Sequence, residues 1–238
     1  MIKGSIAQIE SMGLVDGPGI RTVVFLNGCK LRCLFCHNPE MFKLGELNYT
    51  KEELFNKIMR NKPYFKKNGG VTFSGGEPLL QCDFLIEVCK LLKKENIHIA
   101  LDTAGVGNGN YDEILNLVDL VIFDIKAIDE LGYKQMTTNN INESLKFLKK
   151  CQELNKKMWL RQVIISGIND TEEYINELAE FIKPLKNIEK VELLPYHTMA
   201  KDKYNKLNLS YKLQNTIDMN ADRCKRLEKL LREKTHIY

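Results

Sequence analysis

The stretch IRTVVFLNGCKLRCLFCHNPE, residues 20–40, decides the architecture. Its first half is an apolar, β-branched run, the composition of a strand buried on both faces. Its second half turns polar without a break. Lys30, Arg32, His37 and Asn38 surround Cys29, Cys33 and Cys36, which is too much polarity for a core segment. A buried strand that empties into a reactive loop is the pattern of an α/β protein, whose chemistry gathers at the C-terminal ends of its strands.

The same rhythm continues outward. VTFSGG (71–76), IHIALDT (97–103), DLVIFDIK (119–126), MWLRQVII (158–165) and VELLPYH (191–197) read as further strands, each a continuous apolar run. Thr50 with Glu53 is a capping box that opens a helix through about Arg60. Helical spacing follows over 79–94, 111–118 and 141–155, then from Asp170 to about Ile182, and a polar helix closes the chain near 213–233. Six β/α units predict an α/β fold of parallel strands, either doubly wound or a barrel that does not quite close, in a single domain over 1–238. The polar segments all follow strands: the cysteines, SGGEP (74–78), DTAG (102–105), DIK (124–126), SGIND (166–170) and PYHTMAK (195–201). Convergence of six such segments on one rim is expected of an enzyme rather than of a structural protein.

Bulk properties bound the function. Of 238 residues, 44% are hydrophobic and 28% charged, ordinary for a globular chain with a real core. A net charge of +4, spread along the chain, gives no argument for nucleic acid as a partner and suits docking to an acidic protein. MIKGSIAQIESMG carries no secretory signal pattern, and the longest apolar run, LVDLVIFDI, holds two aspartates, so neither export nor a membrane is expected. The expected location is the cytoplasm, where thiols stay reduced. Of seven cysteines, Cys82, Cys89, Cys151 and Cys224 are scattered in helical segments and read as small buried residues, Cys224 least clearly.

Cys29, Cys33 and Cys36 are spaced Cys-x3-Cys-x2-Cys. Iron–sulfur clusters are held by thiolates, usually four. Three ligands on one loop would hold three irons of a cubane and leave the fourth open to a substrate. The alternative is a zinc ion with His37 as fourth ligand, made awkward by the adjacency of Cys36 and His37 and by the lack of a distant second pair. Elsewhere, Asp124 and Lys126 share one face of a strand and need satisfaction, by a ligand or by each other. Asp102, Thr103 and Asp124 offer hard oxygens suited to a cation, or a turn and a helix cap. Arg161 interrupts an apolar run and needs an anion, from a ligand or from the chain.

Cys-x3-Cys-x-aromatic-Cys, with Phe35 as the aromatic residue and SGGEP downstream, resembles the radical S-adenosylmethionine superfamily. VDGPGIRTVVFLNGCKLRCLFCHNPE (15–40), VTFSGGEPLLQ (71–81), LDTAG (101–105), DLVIFDIK (119–126), LRQVIISGIND (160–170) and VELLPYHTMAKDKY (191–204) resemble, within it, the glycyl-radical-enzyme activating enzymes, those of the pyruvate formate-lyase type above all. The resemblance implies a partial (β/α)6 TIM-type barrel, one [4Fe–4S] cluster on Cys29, Cys33 and Cys36, and S-adenosylmethionine chelated to the open iron. It implies cosubstrate contacts from Phe35, Cys36, His37, Gly76, Glu77, Asp124, Ile125, Lys126, Arg161 and His197, and a monovalent cation near Asp102, Thr103 and Asp124. A flavodoxin or ferredoxin would reduce the cluster, and the radical released from the cosubstrate would take a hydrogen atom from a backbone glycine of the partner. The DGPG-x-R loop would border that glycine segment, with Asp16 as the contact. No cysteine lies between Cys36 and SGGEP, so a second, ferredoxin-like cluster there is excluded. LDTAG departs from the Asp-Thr-Asn-Gly form of the pyruvate formate-lyase type, which leaves the target open. A radical enzyme acting on a small molecule and a zinc-dependent nucleic-acid module are the rival readings.

Overall fold

The computed structural model describes residues 2–107 and 111–237. Its strands are β1 (Lys3–Gly4), β2 (Ile6–Gly13), β3 (Arg21–Leu26), β4 (Tyr49–Thr50), β5 (Gly70–Gly75), β6 (His98–Thr103), β7 (Leu120–Asp124), β8 (Met158–Ile164) and β9 (Ile188–Pro195). Its helices are α1 (Lys51–Met59), α2 (Lys62–Phe65), α3 (Cys82–Lys94), α4 (Asp112–Leu117), α5 (Glu130–Thr137), α6 (Asn142–Glu153), α7 (Glu172–Ile182), α8 (Lys201–Lys206) and α9 (Ala221–Thr235).

The main sheet has seven strands in the order β2-β3-β5-β6-β7-β8-β9, and β1 pairs separately with β4. The six expected strands are neighbours in chain order. A doubly wound sheet reverses its order at a switch point, and this one has no reversal. The fold is therefore the α/β partial-barrel type. Parallel pairing is set by registers such as Val24↔Phe73 and Arg161↔Glu192. The seventh strand, β2, lies antiparallel on β3 at the sheet edge. Sequence reasoning missed it because IAQIESMG buries only Ile6 and so lacks the apolar run of its neighbours.

The chain divides into two compact units. The first comprises Met1–Lys30, Met41–Ile122 and Asn142–Lys156. Its strands bury Val23, Val24, Leu26, Val71, Phe73, Ile99 and Leu101 completely; α3, with Leu85, Val88, Cys89 and Leu92 buried, packs on β6, and α1, with Leu54 and Ile58 buried, packs on α3. The capping box at Thr50 and Glu53 forms as expected. The second unit comprises Leu31–Glu40, Phe123–Ile141 and Lys157–Tyr238. In it β8 and β9 are backed by α7 and α9, which bury Ile175, Leu178, Ile182, Leu227 and Leu231.

One helix start differs clearly from expectation, and α2, α5 and α8 are helices that the sequence pattern did not reveal. The last helix starts at Ala221 rather than near 213, because the Asn220 side chain caps it by accepting from the Arg223 amide at 2.8 Å. An unforeseen helix, α5, follows β7 and is capped by Asp129, whose carboxylate accepts from the Gly132 amide at 2.8 Å. Cys82, Cys89, Cys151 and Cys224 are all buried in helices, and burial pushes each thiol up, Cys82 and Cys224 to about 11 and Cys151 to about 12. Among the described residues no helix is long and apolar enough to cross a membrane.

Candidate active site

The cysteine loop, 28–40, leaves β3 and is held by backbone bonds in both units. In the first unit the Gly28 amide donates to Met41 O at 2.9 Å and the Cys29 amide to Phe42 O at 3.3 Å. Lys30 donates to the Gly107 carbonyl at 2.5 Å and lies 3.6 Å from Glu143. In the second unit the Arg32 and Leu34 amides donate at 2.9 Å to Thr137 O and Met136 O. Those acceptors are carbonyls of the last turn of α5, which have no partner within their own helix. The helix that the sequence did not reveal is thus the support of the loop. Cys29, Cys33 and Cys36 are partly exposed, unlike the four buried cysteines.

Several expected site residues meet within the second unit. Lys126 forms an ion pair with Asp124 at 2.6 Å, and its ammonium stands 5.4 Å from the centre of the Phe35 ring. Burial pushes the Cys33 thiol up to about 12, while the nearby Lys126 pulls it down. Iron coordination would deprotonate such a thiol outright. The His37 and His197 rings meet edge to face with centroids 4.7 Å apart, and burial, Lys203 and His197 together depress His37 below the usual histidine range. Lys203 of α8 donates at 2.8 Å to both Asn38 and Glu40, and so ties down the end of the loop. Ile125 is buried, its amide bonded to Arg161 O at 2.8 Å. Arg161 donates through Nε to Glu192 at 2.7 Å, its registered neighbour on β9, so an anion from the chain itself answers this guanidinium.

The first unit holds the remaining candidates. Gly76 must be glycine for want of space: a Cβ there would come 2.3 Å from Gly28 O, the residue before Cys29. Glu77 is buried, and its carboxylate accepts from the Thr103 hydroxyl at 2.5 Å, the Ala104 amide at 3.0 Å and the Leu79 amide at 3.2 Å. It staples the SGGEP turn to the DTAG turn. The Thr103 hydroxyl also accepts from the Gly105 amide at 2.9 Å, which occupies it within the turn rather than on a cation. Asp102 accepts from Ser74 at 2.6 Å. Asp16 is half-buried near the start of the strands, where its carbonyl accepts from Thr72 at 2.6 Å. Sequence reasoning placed Arg21 only within the DGPG-x-R loop, with no role of its own, and assigned none to Thr72, Lys30, Lys203 or Glu143. The signal for Arg21 was present, as a charge that opens the apolar run RTVVFL.

Among the described residues no group of three or more His, Cys, Asp or Glu could hold a metal ion. A zinc ion needs its donors converged at about 2.0–2.3 Å on one point. A cubane takes each thiolate on a different iron, and three half-buried cysteines on one loop fit that chemistry.

The comparisons agree with this chemistry. The family model of the Radical SAM superfamily matches residues 23–182. The chain is 53% identical to the pyruvate formate-lyase-activating enzyme of Clostridium pasteurianum, over 98% of this chain and 99% of that one. It is 42% identical to the pyruvate formate-lyase-activating enzyme of Staphylococcus epidermidis, over 90% of each. Among solved structures, a domain of the pyruvate-formate lyase-activating enzyme of Bacteroides vulgatus aligns with a TM-score of 0.57 at 27% identity, covering 70% of this chain and 94% of that one. A radical SAM methyltransferase of Sphaerobacter thermophilus shares the fold, with a TM-score of 0.65 at 20% identity over 90% of this chain and 64% of that one. The chain belongs to the Radical SAM superfamily, in the family of the pyruvate formate-lyase-activating enzymes.

Proposed function

We propose that this chain, acting as one catalytic domain, activates pyruvate formate-lyase by creating a radical on a backbone glycine of that partner. The observation that carries the reading is 53% identity, over 98% of the chain, to a relative named for this activity. Membership of the superfamily brings a [4Fe–4S] cluster and S-adenosylmethionine. When bound, they supply a carbon radical by one-electron cleavage of the sulfonium. Cys29, Cys33 and Cys36 hold the cluster in this proposal.

The other residues bind, orient and shield. Phe35 offers a flat wall for the adenine, beside the backbone of Cys36 and His37, with His197 packed on His37. The Gly76 turn brings backbone close to the cluster loop and to the cosubstrate's amine, with Glu77 fixing that turn. Asp124, Ile125 and Lys126 meet the ribose and carboxylate, and the pairing of Lys126 with Asp124 keeps both oriented. Arg161, buried beside Glu192, backs this set. A monovalent cation on oxygens of Asp102, Asp124 and the Thr103 main chain completes the proposal. Asp16 meets the glycine segment of the partner. Glycine suits hydrogen abstraction because no side chain blocks its Cα. A flavodoxin or ferredoxin supplies the electron, and the cytoplasm the reducing conditions.

Anaerobic reconstitution tests this reading. Protein with about four irons and four sulfides per chain, mixed with reductant, S-adenosylmethionine and pyruvate formate-lyase, should give a glycyl radical by EPR. Cleavage of S-adenosylmethionine without a radical on the partner would retain the superfamily and reject the target. Potassium-free buffer tests the cation through S-adenosylmethionine affinity.

A further inference from the structure

Arg21 opens β3 and is wholly buried. A guanidinium shut from water needs an anion or a full set of acceptors. Arg21 has the acceptors. Its Nε donates to Thr72 Oγ1 at 2.6 Å, and one terminal nitrogen donates to Pro18 O at 2.9 Å. The other terminal nitrogen reaches Val71 O and, at 3.3 Å each, the carbonyl and Nδ1 of His98. Burial lowers its pKa to about 10, while Asp119 and Asp16 pull it up, so the group stays charged at neutral pH.

The DGPG loop is wrapped on this group. Pro18 is bonded to it directly. Thr72 accepts from Arg21 and donates its own hydroxyl hydrogen bond to the Asp16 carbonyl at 2.6 Å. Gly17, at φ 130°, lies against the arginine stem, where a Cβ would come 2.9 Å from Cδ. An apolar side chain would fill the same core position at lower desolvation cost. What the guanidinium adds is a rigid fork of directed bonds: one reaches Pro18 of the loop directly, one reaches the Asp16 carbonyl through Thr72, and the rest tie β5 and β6.

We propose that Arg21, acting through Thr72, is a positioning residue that fixes Asp16 against the partner's glycine segment. The inference rests on the reading of Asp16 given above. Hydrogen transfer demands near-attack placement of the glycine Cα, so a loosened loop loses coupling before it loses cosubstrate cleavage.

The test compares Thr72→Val, Arg21→Lys and Asp16→Ala in the reconstituted enzyme with pyruvate formate-lyase. Thr72→Val should raise the KM for pyruvate formate-lyase by about tenfold, the worth of one lost hydrogen bond. It should also raise the 5′-deoxyadenosine formed per glycyl radical. Iron content and partner-free cleavage of S-adenosylmethionine should stay near wild type when assayed well below melting, which falls by a few degrees because the Arg21 Nε loses its acceptor, while the amides of Asp16, Gly17 and Gly19 exchange faster. Arg21→Lys, which keeps the charge and loses the fork, should act in the same direction and more strongly. Wild-type KM and coupling in both variants, or losses that merely track melting or iron content, would overturn the inference. If Asp16→Ala uncouples and Thr72→Val does not, the positioning role fails while the Asp16 contact stands. If Asp16→Ala couples normally, the Asp16 contact fails and the inference with it.

Discussion

The two ends of β5 each carry a buried ion, and the two are used differently. At its start the Arg21 guanidinium binds Thr72 and the carbonyls of Val71 and His98, so it locks strand to strand as well as loop to strand. At its finish the Glu77 carboxylate binds Thr103 and Ala104 and so locks one loop to another. The start is sealed by a long side chain. The finish is a crowded backbone in which Gly76 abuts Gly28. Both ions hold the fold: at the start the bonds run mainly between neighbouring strands, and at the finish they run between the loops that follow them.

The sharpest break in this comparison comes from the cysteines. Cys29→Ala, Cys33→Ala or Cys36→Ala should each abolish cluster binding, read as loss of iron, sulfide and the cluster's EPR signal. Cys82→Ala, Cys89→Ala, Cys151→Ala or Cys224→Ala should keep the cluster. Each of these buried sites loses about 1 kcal/mol or more of stability, read by denaturant unfolding. An essential cysteine among those four would overturn the assignment of ligands.

Next in size are substitutions at the finish end. Gly76→Ala pushes a methyl group onto Gly28 O and so should disturb the residue before Cys29. The expected result is lower iron content as well as weaker S-adenosylmethionine binding. Asp124→Ala removes one side chain and no backbone, so it should weaken S-adenosylmethionine by about tenfold, the worth of a charged hydrogen bond, with iron content intact. Equal behaviour of the two variants would show that Gly76 acts only through the cosubstrate.

Glu77→Ala strips acceptors from the Thr103 hydroxyl and the Ala104 amide. Leaving such donors buried should cost about 3 kcal/mol in denaturant unfolding of the cluster-free protein. Glu77→Gln, which keeps one oxygen, should cost less. If both variants unfold like wild type yet fail to bind S-adenosylmethionine, Glu77 is a direct ligand and not a staple.

Much of this was legible in the chain. The strand positions follow from unbroken apolar runs, and the cysteine loop from spacing and polarity. What was hidden is of two kinds. Edge strand β2 is polar because it is exposed, and exposure removes the periodic signal. The partners of buried ions are set by tertiary register: Arg161 opposite Glu192 on β9, or Glu77 against Thr103, cannot be read from residue type. Sequence offered Glu77 as a cosubstrate contact and Thr103 as a cation ligand, and the fold first bonds them to each other.

The smallest effect belongs to the start end and depends on pH. His98 lies against Arg21, and burial together with the guanidinium depresses its pKa below 6.5. Its Nδ1 faces a terminal nitrogen of Arg21, so that nitrogen must be an acceptor and the ring neutral. In the unfolded chain the same imidazole takes its proton near 6.5. Between that pH and the lower folded value, the unfolded state holds more protons, so stability falls with acidification. The contribution is whole above pH 6.5 and is lost as pH drops through the folded value. The cluster-free protein should therefore melt lower at pH 5.5 than at pH 7.5, and His98→Gln should narrow that gap. Glutamine keeps a polar group beside Arg21 without a titrating proton, so its effect at pH 7.5 should be small while its relative benefit at pH 5.5 grows. An unchanged gap in His98→Gln would assign the acid sensitivity to other groups, and would mean that His98 takes its proton as readily in the folded chain as in the unfolded one.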